Sequence, residues 1–405
     1  MDEAAGALSP GARSEARAPG GAPHVVPEFS LLDGPLHRLA RWFGRGSDEA
    51  GRVLVGGGLA LLTWLPTVLL ALAHGGAAGA SIWPAVGVHT RFVVAIPLLL
   101  LAEAWTDPHL TSFVRRLVKS GMAQPSALAP LAAAVRRVTR LHASPLPEAL
   151  LLALVLVLVR VDVLLDMPGE TKGWATAAAG QFTPAGWWYH VVGLTVFRFL
   201  LVRWCWRTVL WWWFLWRVSR LDLRLIPTHP DRAGGLGYLE IAQGYFATEI
   251  FAFSAVLSAS FAEDVWFSGA SLETLLLPVT GTVLGFAVIV FGPLLVFAPR
   301  LLEAKLRGLR EYGELAGRYV SSFDAKWIRG AAAPGEDLLG TADIQSLADL
   351  ANSMAVVQGM RVTPFGLNLV SAFAVASLAP MVPLLLIKFP IEDLLKGLVR
   401  AIAGI

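Results

Sequence analysis

The sequence predicts an all-α fold, a polytopic membrane helix bundle of about seven spans with a cytoplasmic helical hairpin. Three observations carry this. Apolar residues make up 55% of the 405-residue chain and charged residues 16%, against about 25% charged in soluble domains, and the apolar residues gather in blocks long enough to cross a bilayer. Lys and Arg are confined almost entirely to alternate loops. A charged segment with a heptad pattern follows the sixth apolar block.

In chain order, residues 1–35 begin with a stretch rich in Ala, Gly and Pro and read as a disordered N-terminal segment. Leu36, Leu39, Trp42 and Phe43 alternate with Arg38, Arg41 and Arg45, which suits a short interfacial helix. The membrane bundle occupies 36–298, with spans near 53–73, 84–105, 148–167, 186–216, 238–261 and 275–298. The fourth is long enough to project past the bilayer at about 1.5 Å per residue. A helical hairpin follows over 299–362. A last span near 364–387 and an amphipathic tail fill 363–405.

Orientation follows from charge. Six Lys and Arg lie in 1–52, six in 107–147, four in 217–237 and eight in 299–362, while the loops 74–83, 168–185 and 262–274 hold only Lys172. The positive-inside rule then places the N-terminus in the cytoplasm of a bacterial inner membrane. The basic residues thus describe topology, and no nucleic-acid partner is expected. The lipid bilayer and anionic headgroups at the cytoplasmic face are the expected partners. The single cysteine, Cys205, excludes an intrachain disulfide and a cysteine-based metal site.

In the hairpin, Leu302, Leu306, Leu309, Gly313, Ala316, Val320, Phe323 and Trp327 recur at spacings of three and four. This seam packs either against the second hairpin helix or in a homo-oligomer. Thr341 reads as the N-cap of that second helix, with Asp343 in its first turn.

The stretch PTHPDRAGGLG links spans four and five. Pro227 and Pro230 stop the preceding helix, and Gly234, Gly235 and Gly237 permit positive φ and a close reversal. Turning alone does not explain His229, Asp231 and Arg232. A J-domain-like HPD motif, a phosphate nest and an acid–base or metal pair compete with an Asp231 or Thr228 cap on span five. No nucleotide or zinc-protease fingerprint is present, so no cofactor, metal or catalytic residue is assigned. Arg217, Arg220 and Arg224 share a helical face suited to anionic headgroups.

Ionisable residues within spans cost about 2.5–3.5 kcal/mol each on insertion scales and so face partners or water. Arg160, Asp162, Arg198, Arg203, Arg207, Glu240 and Glu249 form the candidate mid-membrane polar site; Arg91, Glu103 and Asp166 are also intramembrane. Arg198, Glu249, Arg160 and Asp162 fall near one depth, and Glu240 is at a level that Arg203 and Arg207 could reach. The arginines do not form one stripe, which argues against a voltage sensor.

The runs RFVVAIPLLLLAEAW, RVSRLDLRLIPTHPDRAGGLGYL and LLGTADIQSLADLANSMAVVQGMRVTPF resemble a family of bacterial multi-pass inner-membrane proteins without an assigned function. The resemblance covers span two through span seven. It implies the membrane class and no reaction. The leading expectation is a channel or transporter for a small ion or solute that uses the mid-membrane charges. The alternatives are a lipid-headgroup binding protein or enzyme at His229, Asp231, Arg232, Gly234, Gly235 and Gly237, and a scaffold or sensor whose charges only lock the bundle.

Overall fold

The computed structural model describes residues 26–31, 49–74, 82–164, 173–176 and 181–384. The structure is an all-α bundle in which six helices are long and apolar enough to cross a membrane, or seven if a pair bent by 46° forms one span. In order these are α1 (Glu49–Ala73), α2 (Val86–Lys119), the bent pair α3 (Pro125–Ala143) and α4 (Pro145–Leu164), α5 (Pro184–Ser219), α6 (Tyr238–Ser268), α7 (Leu272–Leu295) and α10 (Leu367–Leu384). The hairpin helices α8 (Ala298–Phe323) and α9 (Ala342–Gln358) lie between α7 and α10. The interfacial helix expected at 36–45 and the expected C-terminal tail fall outside the described residues.

Helices α2 and α5 have 34 and 36 residues, roughly 50 Å each at 1.5 Å per residue. Both exceed the ~30 Å hydrocarbon core, and their ends project together at the end of the bundle that carries the basic loops. Each contains one π-turn, Thr90–Ala95 in α2 and Tyr189–Gly193 in α5. The first immediately precedes Pro97, which has no N–H to continue the α-helical ladder. The two turns pack face to face. The Phe92 and Tyr189 rings lie 5.7 Å apart, and a Cβ on Gly193 would meet the Phe92 ring at 2.3 Å. Arg91, which interrupts the apolar run of this span, donates to the Tyr189 hydroxyl at 2.9 Å and to Ser260 Oγ at 3.1 Å.

Two large apolar cores and one small cluster fill the described bundle. One core, at the basic end, joins α2, α3, α5, α6, α7, α8 and α10 around Trp211 and Phe214; the other joins α1, α2, α5 and α6 around Phe92 and Trp204; the small cluster holds Ala262, Met381 and Leu384. The first also takes in Phe29 and Leu31. Leu31 donates its backbone N–H, and Ser30 its hydroxyl, to the carboxylate of Asp107 in α2. Disorder therefore does not extend over 26–31: two apolar side chains within the polar stretch find a core that only the folded bundle creates.

The hairpin forms as expected, and Leu309, Gly313, Ala316, Phe323 and Trp327 of its seam are partly buried, but the first turns are rotated. Leu301, Ala304 and Gly308 are the buried positions of α8, whereas Leu302, Leu306 and Val320 are 45%, 57% and 51% exposed. The loop after α5 selects this face. A Cβ on Gly308 would stand 2.4 Å from Pro227 Cβ, so only a glycine admits the loop. Thr341 occupies the N-cap position of α9 in extended conformation, yet its hydroxyl donates back to the Leu338 carbonyl at 3.0 Å. Asp343 holds the tip instead, accepting from Lys326 Nζ and Trp327 Nε1, both at 3.0 Å. Those donors hold the Asp343 carboxyl below its ordinary value, and contacts to Glu336 and Asp343 raise Lys326.

Candidate functional site

The mid-membrane charges separate into distinct groups. Arg203 is 1% exposed and Arg207 2%. They face one way along α5, four residues apart, between the two apolar cores. Arg203 pairs with Glu103 of α2 and, through Nε at 3.1 Å, with Glu148 of α4; Arg207 reaches Glu103 at 3.1 Å. Three helices are thereby tied at one depth. Glu240 is not their partner. Its Oε2 binds Arg361 at 3.0 Å, and its Oε1 accepts from the Leu369 N–H at 3.4 Å, capping the first turn of α10. Hydropathy ranks depth along a helix but not azimuth, and Glu103 lies on the face of α2 that meets α5 whereas Glu240 turns toward α10. Arg160 is exposed on α4 and Arg198 is half-buried on α5; the Asp162 side chain is outside the described residues.

The loop 227–237 is built around one carboxylate. Asp231 Oδ1 accepts from the N–H groups of Ala233 at 2.8 Å and Gly235 at 3.1 Å, and Oδ2 accepts from Gly237 at 2.7 Å. Burial alone would raise the Asp231 pKa, but these three donors and His229 outweigh it and hold the carboxyl below its ordinary value. His229 Nδ1 stands 2.8 Å from Asp231 Oδ1. The Asp231 N–H also lies 3.3 Å from this nitrogen.

Gly234 and Gly235 adopt φ of +65° and +102°, as the sequence implied. Gly237 does not: its φ is −58°. Its reason is space, since a Cβ there would meet Asp231 Cβ at 2.8 Å and Oδ2 at 2.9 Å. Arg232 itself takes φ of +53°. It turns the chain so that its carbonyl accepts from the Arg361 N–H at 2.7 Å, while the Arg361 guanidinium reaches the Asp231 carbonyl at 3.2 Å. The segment after α9 thus clasps the loop.

These elements bound a pocket of about 760 Å³ at the basic end. His229, Asp231, Gly235, Gly237 and Glu240 form one wall; Phe113, Arg116 and Lys119 of α2, with Arg361 and Asn368, form the others. Asp231 and Glu240 are committed to internal donors. Arg116 and Lys119 are exposed, with Arg116 4.2 Å above the Tyr238 ring. The pocket reaches Ala372 of α10. A second groove of about 540 Å³ starts at that residue and runs along α2, α6 and α10 past Leu98, Ala247, Phe251 and Val375. It is mainly apolar, with Thr248 and Ser371 as its polar side chains. Arg232 and Gly234, expected at the site, shape the loop without lining this pocket. Arg217 and Arg220 lie over the rings of Trp213 and Trp216 on the outer surface.

No family model, curated protein or solved structure matches the chain.

Three lining residues escaped the sequence reading. Arg116 and Lys119 looked like topogenic charges and Arg361 like one more basic residue of the hairpin. The six-residue stretch from Arg361 through Pro364 to Gly366, just before an apolar block, is the one signal that a fixed clasp stands there. Glu148, the first residue of the span expected near 148–167, was missed because a carboxylate at a span end reads as facing the interface. Among the described residues no group of three or more His, Cys, Asp or Glu side chains is placed to hold a metal ion.

Proposed function

We propose that the chain is a bacterial inner-membrane protein, N-terminus in the cytoplasm, that binds an anionic phospholipid, with the headgroup in the pocket beside the 227–237 loop and an acyl chain in the adjoining groove. The observation that carries this reading is that the two cavities are neighbours, with Ala372 in the lining of both. A pocket rimmed by Arg116 and Lys119 adjoins a mainly apolar groove between α2, α6 and α10, which is the outline of an amphiphile. The resemblance of the loop and its flanking runs to bacterial inner-membrane proteins supports the location, and the distribution of Lys and Arg supports the orientation. An ion pathway through Arg203 and Arg207 draws less support, because Glu103 and Glu148 engage those guanidinium groups in the interior.

The test is a titration of the purified protein with phosphatidylglycerol carrying a fluorescent acyl chain, against phosphatidylcholine with the same label. A basic side chain near a membrane surface is worth about 1 kcal/mol toward an anionic lipid. Arg116→Gln with Lys119→Gln should therefore weaken phosphatidylglycerol by about 2 kcal/mol, roughly thirtyfold, and leave phosphatidylcholine little changed. Ala372→Trp, which blocks the junction, should abolish binding of both. Equal affinity for the two lipids, or binding indifferent to Ala372→Trp, refutes the proposal.

A further inference from the structure

A third cavity lies on the other side of α6. It holds about 340 Å³ between α5, α6 and α7 and is lined by Cys205, Thr208, Trp212, Phe246 and Phe253 among apolar neighbours, with Glu249 as its one acidic group. That volume is within the range of small-ligand sites. Trp212 is fixed at its edge: the indole N–H donates to the Ile289 carbonyl at 3.2 Å, and its ring fills the space that a Cβ on Gly292 would need. Glu249 is 3% exposed, and its Oε1 has no hydrogen-bond partner. A buried carboxylate oxygen without a donor is costly, and more so without a counter-charge.

Among the described residues Glu249 makes no ion pair, and Arg207, which is within electrostatic reach of it, contacts Glu103 instead. Glu103 and Glu148 take the arginine contacts, and Asp107 is held by Ser30 and Leu31. Glu249 is left at the wall of an apolar cavity.

We propose that this cavity binds a membrane-dissolved primary amine, whose ammonium pairs with Glu249 and whose apolar body lies against Phe246, Phe253 and Trp212. An ammonium supplies both the missing charge and donors for Oε1. An alcohol supplies only a donor, and a quaternary ammonium only a charge.

Cys205, the chain's one cysteine, is exposed in this cavity and serves as a native reporter. The experiment measures the rate at which a lipophilic maleimide labels Cys205 in the full chain in nanodiscs at neutral pH. Decylamine should slow labelling saturably, at least fivefold. Decanol and decyltrimethylammonium should need at least tenfold higher concentration for the same effect. Glu249→Gln should remove the advantage of the amine, with each protein's labelling measured against its own rate without amine. Equal protection by decanol, protection that survives Glu249→Gln, or none at all overturns the proposal. Thermal unfolding of the unaltered protein gives a second readout that needs no variant. Decylamine should raise Tm more than decanol does, and an equal shift, or none, counts against the site. Failure here leaves the phospholipid proposal untouched, since the two cavities share no lining residue.

Discussion

Substituting Gly237 by alanine separates two opposed effects whose signs the structure fixes. Gly237 has φ −58° and ψ −27° and precedes α6. Helical backbone is open to alanine there, and replacing glycine in such a conformation ordinarily stabilises by about 0.5–1 kcal/mol. Against this, the new Cβ would lie 2.8 Å from Asp231 Cβ and 2.9 Å from Oδ2, so the aspartate must move by several tenths of an ångström. Asp231 is held by three backbone donors at 2.7–3.1 Å, and the 2.7 Å bond from Gly237 itself is the first to break. A hydrogen bond to a charged group is worth about 1.5–3 kcal/mol. The difference leaves Gly237→Ala about 1–2 kcal/mol less stable. The assay is equilibrium unfolding in mixed micelles, run as a double-mutant cycle with Asp231→Gly, which removes the obstructing side chain. In that background Gly237→Ala should be neutral or stabilising. A stabilising effect in the unaltered protein, or an equal loss in both backgrounds, would refute the account of the loop as a carboxylate-centred turn.

Other outcomes follow from the same geometry. Glu103→Gln leaves Arg207 without its carboxylate and Arg203 with Glu148 alone, and should destabilise by about 3–5 kcal/mol; a loss below 1 kcal/mol in unfolding would mean the cluster is hydrated. Gly292→Ala, facing the Trp212 ring at 2.6 Å, should lower Tm, while Gly281→Ala and Gly285→Ala, inside the same helix with open space beyond them, should raise it slightly; the reverse order would displace α7 from its position against α5. The Asp231 carboxyl titrates below its ordinary value in the folded chain, so its contribution is complete above about pH 4, the unfolded value, and is lost as pH falls through the lower folded value. Comparing unfolding of the unaltered chain and Asp231→Asn between pH 3 and 7 should show the gap closing at the acid end, and a gap independent of pH would contradict the assignment.

The sequence by itself determined the class of this protein. Blocks such as 53–73 and 275–298 can be satisfied only by lipid, helices close their own backbone hydrogen bonds there, and alternating loop charge fixes which ends lie together. It also located the 227–237 loop and the glycines that turn it, because Pro227, Pro230, Gly234 and Gly235 constrain backbone locally. Tertiary structure decided the rest, wherever the property was azimuthal or long-range. Hydropathy places Arg203 and Glu240 at compatible depths, but the rotation of each helix sent Arg203 to Glu103 and Glu148 and gave Glu240 to Arg361. Heptad spacing announced a seam on α8, yet Pro227, pressed against Gly308 from another segment, chose the face. Gly237 reads as a turn glycine and proves to be a space for a carboxylate. The pocket joining Arg116 and Lys119 to His229 and Arg361 draws on residues more than a hundred positions apart, and only packing brings charges that far apart in the chain around one pocket.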